Sequence, residues 1–284
     1  MNTADKLLSV LRLYTLQKPE WSVEEAGKEL GISISTAYRY FRSLCKIGLL
    51  EPLNGSAYTL GPAIVEYDRQ IRINDPMIRI GQPVMQRLIT HSGGMGIALL
   101  CRMHRNYVMC IHQEGESSRE NPVSYERGRL MPMFRGSASK VIFANLPWAS
   151  VRWFFGKFSR DIAEAGLGSE WLTVRANLRQ IRKAGVLVSR AEVDRGRVGI
   201  SAPVFGSKKN VVGSISLVIS DTEATQETIY NISALVDAAG RQISAGLVNP
   251  SSGSKSEISA VRFADDHTRL DAERVAMAPV TEEP

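Results

Sequence analysis

Between residues 33 and 47 the chain carries Ser33, Ser35, Thr36, Tyr38, Arg39, Arg42, Ser43 and Lys46, with three cations and no acid among them. On a helix, such a set suits a polyanion with readable edges. A guanidinium at Arg39 can donate two hydrogen bonds to one guanine. Ser35, Thr36 and Tyr38 can reach base edges or phosphates. Arg42 and Lys46 suit phosphates, which fix position without reading sequence. The bland alternative is a helix face that is merely solvated. The flanking elements decide between the two.

Leu7, Leu8, Val10, Leu11, Tyr14 and Leu16 predict a first helix over residues 4–16, ended by Gln17–Glu20. Ser22-Val23-Glu24-Glu25 reads as a capping box that opens a second helix, which Gly31 stops. Ser33 or Ser35 then caps a third helix, running to Gly48, with Ala37, Phe41, Leu44 and Ile47 as its buried stripe. Leu49–Leu53 and Ala57–Leu60 read as strands joined by an Asn54-Gly55 hairpin. The tip, Asn54 to Ser56, would lie along a duplex backbone or minor groove. Three helices and a hairpin make a winged helix-turn-helix, in which the second helix braces the third in the major groove. Residues 1–80 hold ten Lys/Arg and nine Asp/Glu, so the element order, and not bulk charge, carries the DNA reading.

Helices are predicted over 63–74 and 77–91, with a hinge at Ser92-Gly93-Gly94. Strands then follow at Ile97–Met103 and Tyr107–Gln113, helices at 137–146, 148–158 and 171–184, strands at Val186–Ala191, Gly199–Val204 and Val211–Ile219, and a closing helix at 223–246. This is an α+β pattern: a mostly antiparallel sheet flanked by helices. The domains are therefore expected at 1–62 (winged helix-turn-helix), 63–92 (helical linker and dimerisation segment), 93–248 (sensor) and 249–284 (a disordered tail of net negative charge).

Other chemistries fit less well. Cys101, His104, Cys110 and His112 fall on one proposed hairpin, with Cys110 and His112 expected on one face, but their spacing matches no strong zinc pattern. No metal and no cofactor are expected. Ser137 lies in no nucleophile elbow, and Ser92-Gly93-Gly94-Met95-Gly96 lacks the lysine of a phosphate loop, so the chain is expected not to be an enzyme. Three cysteines in 284 residues fit a reducing compartment, the N-terminus is a poor signal peptide, and no apolar run is long enough to span a bilayer. A cytoplasmic protein without membrane contact is the expectation. The net charge of +6 favours an anionic partner without naming one.

Gly31 to Leu44, Gly48-Leu49-Leu50 and Tyr58-Thr59-Leu60-Gly61-Pro62 resemble the DNA-binding domain of the IclR family of bacterial transcriptional regulators. Arg135 to Lys140, Glu192, Gly196, Ala202-Pro203-Val204-Phe205 and Val211 to Leu217 are similar to that family's effector domain. Together they cover roughly residues 3–248. The resemblance implies a GAF-like effector-binding domain with a pocket between the sheet and the loop before the Ser137 helix. Met131, Ser137, Ala138, Gly199, Ser216 and Val218 would line it, with Ser189 nearby. Free amides where that helix opens would attract a carboxylate, Met131 and Val218 would form apolar wall, and the Ser137 and Ser216 hydroxyls would orient a polar group. Ser139 stands where the family often has glycine, and Val218 where it has a polar residue.

The expectation is a regulator that binds double-stranded operator DNA as a homodimer or homotetramer. Ser33, Ser35, Thr36, Tyr38, Arg39, Arg42, Lys46, Asn54 and Ser56 would touch the duplex, and a small organic acid would tune affinity. A ligand- or metal-binding adaptor without DNA contacts, and a small-metabolite enzyme, stand as alternatives.

Overall fold

The computed structural model describes residues 2–115 and 124–249. The chain divides into two compact units, residues 1–74 and 75–284. The expected tail lies outside the described residues, apart from Asn249.

In the first unit, α1 (Thr3–Ser9) opens with a capping box between Asn2 and Asp5. It tightens into a 3-10 turn, Val10–Leu13, instead of running to residue 16. The indole Nε1 of Trp21 donates to the Leu13 carbonyl at 2.9 Å, satisfying an acceptor at the helix end. Leu8 and Leu16, expected in the apolar stripe, are exposed. β1 (Trp21–Ser22), which periodicity does not reveal, leads directly into α2 (Val23–Glu29). The Ser22–Glu25 capping box forms in both directions, at 3.0 and 3.1 Å. Gly31 takes the left-handed turn (φ 62°), and α3 (Ile34–Lys46) follows with Ser33 as its cap.

The buried face of α3 is Ala37, Tyr40, Phe41 and Leu44. Ile47, expected to complete that stripe, caps the helix from outside and is 57% exposed. The helix has ended by residue 47, so helical spacing no longer aims that side chain inward. Tyr40 takes up core space instead. β2 (Leu50–Pro52) and β3 (Ala57–Leu60) pair antiparallel, and β1 adds to the other edge of β3. The wing turn is wider than a two-residue hairpin: Leu53 donates its amide to Ala57 at 2.8 Å across Asn54-Gly55-Ser56. Gly55 has positive φ and Asn54 does not. α4 (Ala63–Asn74) closes the unit.

The second unit begins with α5 (Pro76–His91). Asp75 caps it, accepting from the amides of Met77 and Ile78 at 2.8 and 3.3 Å. The expected hinge at Ser92–Gly94 is one helix beyond the division of the chain. Met77, Ile78, Val84, Met85 and Leu88 of α5 are buried in the second unit's core, so α5 is part of that unit.

Six strands follow: β4 (Ile97–His104), β5 (Tyr107–Glu114), β6 (Leu130–Pro132), β7 (Leu187–Arg190), β8 (Arg197–Phe205) and β9 (Val211–Ser220). They form one antiparallel sheet in the order β6-β5-β4-β9-β8-β7. Between β6 and β7 come α6 (Ser137–Asn145), α7 (Trp148–Glu164, kinked at Phe158) and α8 (Trp171–Ala184). α9 (Gln226–Val248) follows β9. Arg102 of β4 reaches the Asp75 carboxylate with both terminal guanidinium nitrogens, at 2.8 and 3.0 Å.

Strand alternation divides the core in two. Ala98, Leu100, Ile200, Ile215, Leu217 and Ile219 pack with α5 and α9. Leu99, Cys101 and Val218 pack with α6, α7 and α8 on the other face. β9 alternates Ser214, Ser216 and Val218 with Ile215, Leu217 and Ile219, so one face of its centre is aliphatic and the other carries hydroxyls.

Candidate nucleic-acid interface and sensor site

On α3 the face opposite the core is polar and open. Ser35, Tyr38, Arg39, Arg42, Ser43 and Lys46 are exposed. Phe41 and Leu44, nearly free of solvent, hold the helix down, and Phe41 meets Tyr58 edge to face at 5.0 Å. Ser33 already has a structural task. Its Oγ accepts from the Thr36 amide at 3.3 Å and lies 2.8 Å from the Thr36 hydroxyl and 3.2 Å from that of Ser35. Tyr38, Arg39, Arg42 and Lys46 are the more available members of the predicted set. Asn54 and Ser56 are exposed at the wing tip.

In the second unit the predicted sensor residues converge on the opening of α6. Pairing sets Ser189 beside Gly199, Gly199 beside Val218, and Ser201 beside Ser216. The Ser201 hydroxyl lies 2.7 Å from Ser216 and donates to Ser137 at 2.7 Å. Ser214 donates to the Ala138 carbonyl at 3.0 Å. Gly199 is what lets these groups meet, because a Cβ there would stand 2.7 Å from the Ser137 Oγ and 3.3 Å from that of Ser189. Met131, Ala138 and Val218 lie in one apolar cluster on the same side of the sheet.

Two of the amides expected to be free for a carboxylate are taken. Ser137 N–H donates to Ser189 Oγ at 3.0 Å, and Gly136 N–H to Glu192 Oε2 at 3.0 Å. A helix start leaves four amides without intrahelical partners. Side chains from the β7 region answer the first two, leaving Ala138 and Ser139 as the amides of the first turn that neither covers. Glu192 also pairs with Lys140 at 2.7 Å. Tyr125 lies 2.7 Å from the Ser139 hydroxyl and donates to the Arg135 carbonyl at 3.0 Å, and burial pushes its phenol well above the usual range, so it stays neutral. Ser201 and Tyr125, which residue-by-residue reading missed, also stand at this opening of α6, as does the Lys140–Glu192 pair, whose residues entered only as part of the family likeness. Period-two spacing from Gly199 points to Ser201; nothing local points to the others.

The Cys/His hairpin does not hold together as a site. A β-bulge between Leu100 and Cys101 sets Cys110 opposite Cys101 and His112 opposite Leu100. The extra residue breaks the alternation, so Cys110 and His112, expected on one face, fall on opposite faces. The neighbouring Cys110 thiol and burial both push the Cys101 thiol up. Among the described residues no group of three or more His, Cys, Asp or Glu could hold a metal ion, and no helix is long and apolar enough to cross a membrane.

Residues 3–53 match the IclR helix-turn-helix domain, and residues 73–245 match the C-terminal domain of bacterial IclR transcriptional regulators. The HTH-type transcriptional regulator KipR of Bacillus subtilis is 24% identical over 255 residues, covering 85% of this chain and 95% of that protein. An IclR-type regulator from a Silicibacter species superposes with a TM-score of 0.70 at 17% identity, over 87% of this chain and 96% of the other. An IclR homologue from Microbacterium hydrocarbonoxydans, solved in complex with 4-hydroxybenzoate, gives a TM-score of 0.63 at 15% identity, over 86% of this chain and all of that one.

Proposed function

The chain belongs to the IclR family of bacterial transcriptional regulators, with a helix-turn-helix DNA-binding domain, and from that premise we propose how it reads an operator and what tunes the reading. α3 enters the major groove. Arg39 reads a base, Ser35, Thr36 and Tyr38 add polar contacts, Arg42 and Lys46 hold phosphates, and Asn54 and Ser56 follow the backbone beside the wing. One observation carries this reading: α3 is buried on one side while the other offers three cations, no acid and few internal partners.

The effector is a small organic acid seated where α6 opens. Its carboxylate takes the amides of Ala138 and Ser139, its body lies against Met131 and Val218, and its second polar group meets the Ser137–Ser201–Ser216 hydroxyls. The excess of eleven Lys/Arg over four Asp/Glu in residues 81–160 supports an anion. So does the aromatic acid held by the Microbacterium relative. The chain acts as a cytoplasmic binding protein and not as an enzyme. Two or four copies associate partly through α4, whose Val65, Tyr67, Ile71 and Ile73 are exposed. Two reading heads then meet a palindromic site. The acid shifts operator affinity only by its unequal affinity for two states of the assembly.

Operator fragments selected from random duplexes by the full-length protein provide the test. Their affinity should change when a panel of short and aromatic carboxylates is added, and the acids that do so should raise the melting temperature. A panel that raises melting temperature but leaves operator affinity unchanged would refute the coupling. Failure to select any duplex would favour an adaptor.

A further inference from the structure

On the α7–α8 side of the second unit, one indole is ringed by arginine. The guanidinium groups of Arg182, Arg175 and Arg179 lie 4.1, 5.5 and 5.9 Å from the Trp148 ring centre. Arg152 stands 4.7 Å over Trp171, and the two indoles meet edge to face at 6.4 Å. Trp171, Arg175, Arg179 and Arg182 recur at helical spacing along α8, so they form one stripe. Among the described residues none of the four arginines pairs with a carboxylate. Arg182 is committed to the carbonyls of Ala144 and Leu146 at the end of α6. The Nε of Arg175 is buried without a partner. Burial and the neighbouring charge of Arg179 both pull the Arg182 pKa down.

Stacking on an indole stabilises a cation and does not neutralise it. Guanidinium groups set one turn apart repel. The forks of Arg175 and Arg179 therefore fit carboxylates, which, like phosphates, take a guanidinium two-pronged.

The chain carries a matching segment. Residues 250–284 hold seven Asp/Glu against four Lys/Arg, and Asp265, Asp266, Asp271 and Glu273 stand against Arg269 alone between residues 263 and 273. That segment is tethered beside the stripe. Ser244 of α9 and Arg182 line the same cavity, of about 260 Å³, and α9 ends at Val248, roughly 6 Å further along its axis. Fifteen extended residues reach about 50 Å, ample to bring Asp265 to α8. A short tether supplies an effective concentration of order millimolar, so pairs that are weak in isolation can hold.

We propose that the acidic segment around residues 265–273 of the chain's own tail docks on the arginine stripe of α8, its carboxylates pairing with Arg175 and Arg179 beside Trp148. Through Arg182 the docked segment adjoins the far end of α6. The proposal does not depend on the identity of the effector.

A fluorescent peptide of residues 260–276, titrated against full-length protein, tests it. The native chain, whose site is filled, should bind the peptide about ten-fold more weakly than a full-length D265N/D266N/D271N/E273Q variant, since only the former carries a tethered competitor. The gap should close near 0.5 M salt. Adding R175A/R179A to the neutralised chain should abolish peptide binding. A peptide with its four acids changed to amides should not bind the unmutated stripe, and this arm needs no alteration of the protein's fold. Equal affinity of the native and neutralised chains overturns the proposal, as does equal binding of the amidated peptide. A gap that disappears when the protein is diluted assigns the occupant to a second copy and overturns docking within one chain.

Discussion

Helix α3 and the opening of α6 are both rich in small hydroxyls, but they differ in what answers them. Around α6 the answer comes from inside: Ser189 and Glu192 cap its first amides, and Ser201 links Ser137 to Ser216. On α3, Ser33 alone serves the helix as its cap, while Tyr38, Arg39 and Arg42 face solvent. Leaving a buried polar group unsatisfied costs stability; an exposed one is under no such demand. The same residue types therefore carry stability in one place and are free for a partner in the other.

That contrast can be broken or sharpened by substitution. The largest separation is expected at Arg39. Arg39→Ala should cost about 1–3 kcal/mol of operator affinity if it reads a base, with the melting temperature unchanged, as a paired gel-shift and thermal melt would show. An equal loss on random duplexes would move Arg39 to the phosphates. Ser201→Ala should do the reverse. It should lower stability by about 1 kcal/mol, because it removes a buried hydrogen-bonded hydroxyl, and leave operator affinity without effector intact. Loss of DNA binding at unchanged stability would erase the distinction. The smallest effect is expected at Ile47. Ile47→Ala should change stability by no more than about 0.5 kcal/mol, as at other exposed positions. A denaturant midpoint that falls as far as a core truncation would return Ile47 to the buried stripe.

What was legible in the sequence was what short-range chemistry writes. The Ser22–Glu25 box and the Gly31 turn each act within a few residues, and each appears where spacing puts it. Long apolar patterns such as Ile232, Val236, Ala239 and Ile243 on α9 were equally plain. Ile47 misled because apolar spacing does not reveal where a helix stops. β1 and β6 are two and three residues long, too short for any period, and exist through pairing with β3 and β5. At the candidate sensor site, Ser137, Ser189, Gly199 and Ser216 follow from the family likeness and not from spacing. Glu192, which caps α6 from 56 positions away, follows from neither spacing nor local propensity. Contacts of that kind are made by the sheet, which brings β7 alongside β8 and under α6.

Asp75 has a mechanical consequence. It is the first residue of the second unit, it terminates the orphan amides of α5, and both its carboxylate oxygens are gripped by Arg102 in the sheet. Tension arriving through residue 74 is thus shared at once between a helix and a strand, and cannot be absorbed by slack at that point. In a single-molecule pulling experiment this junction would behave as a riveted anchor, yielding only when the carboxylate clamp and the helix start give way together.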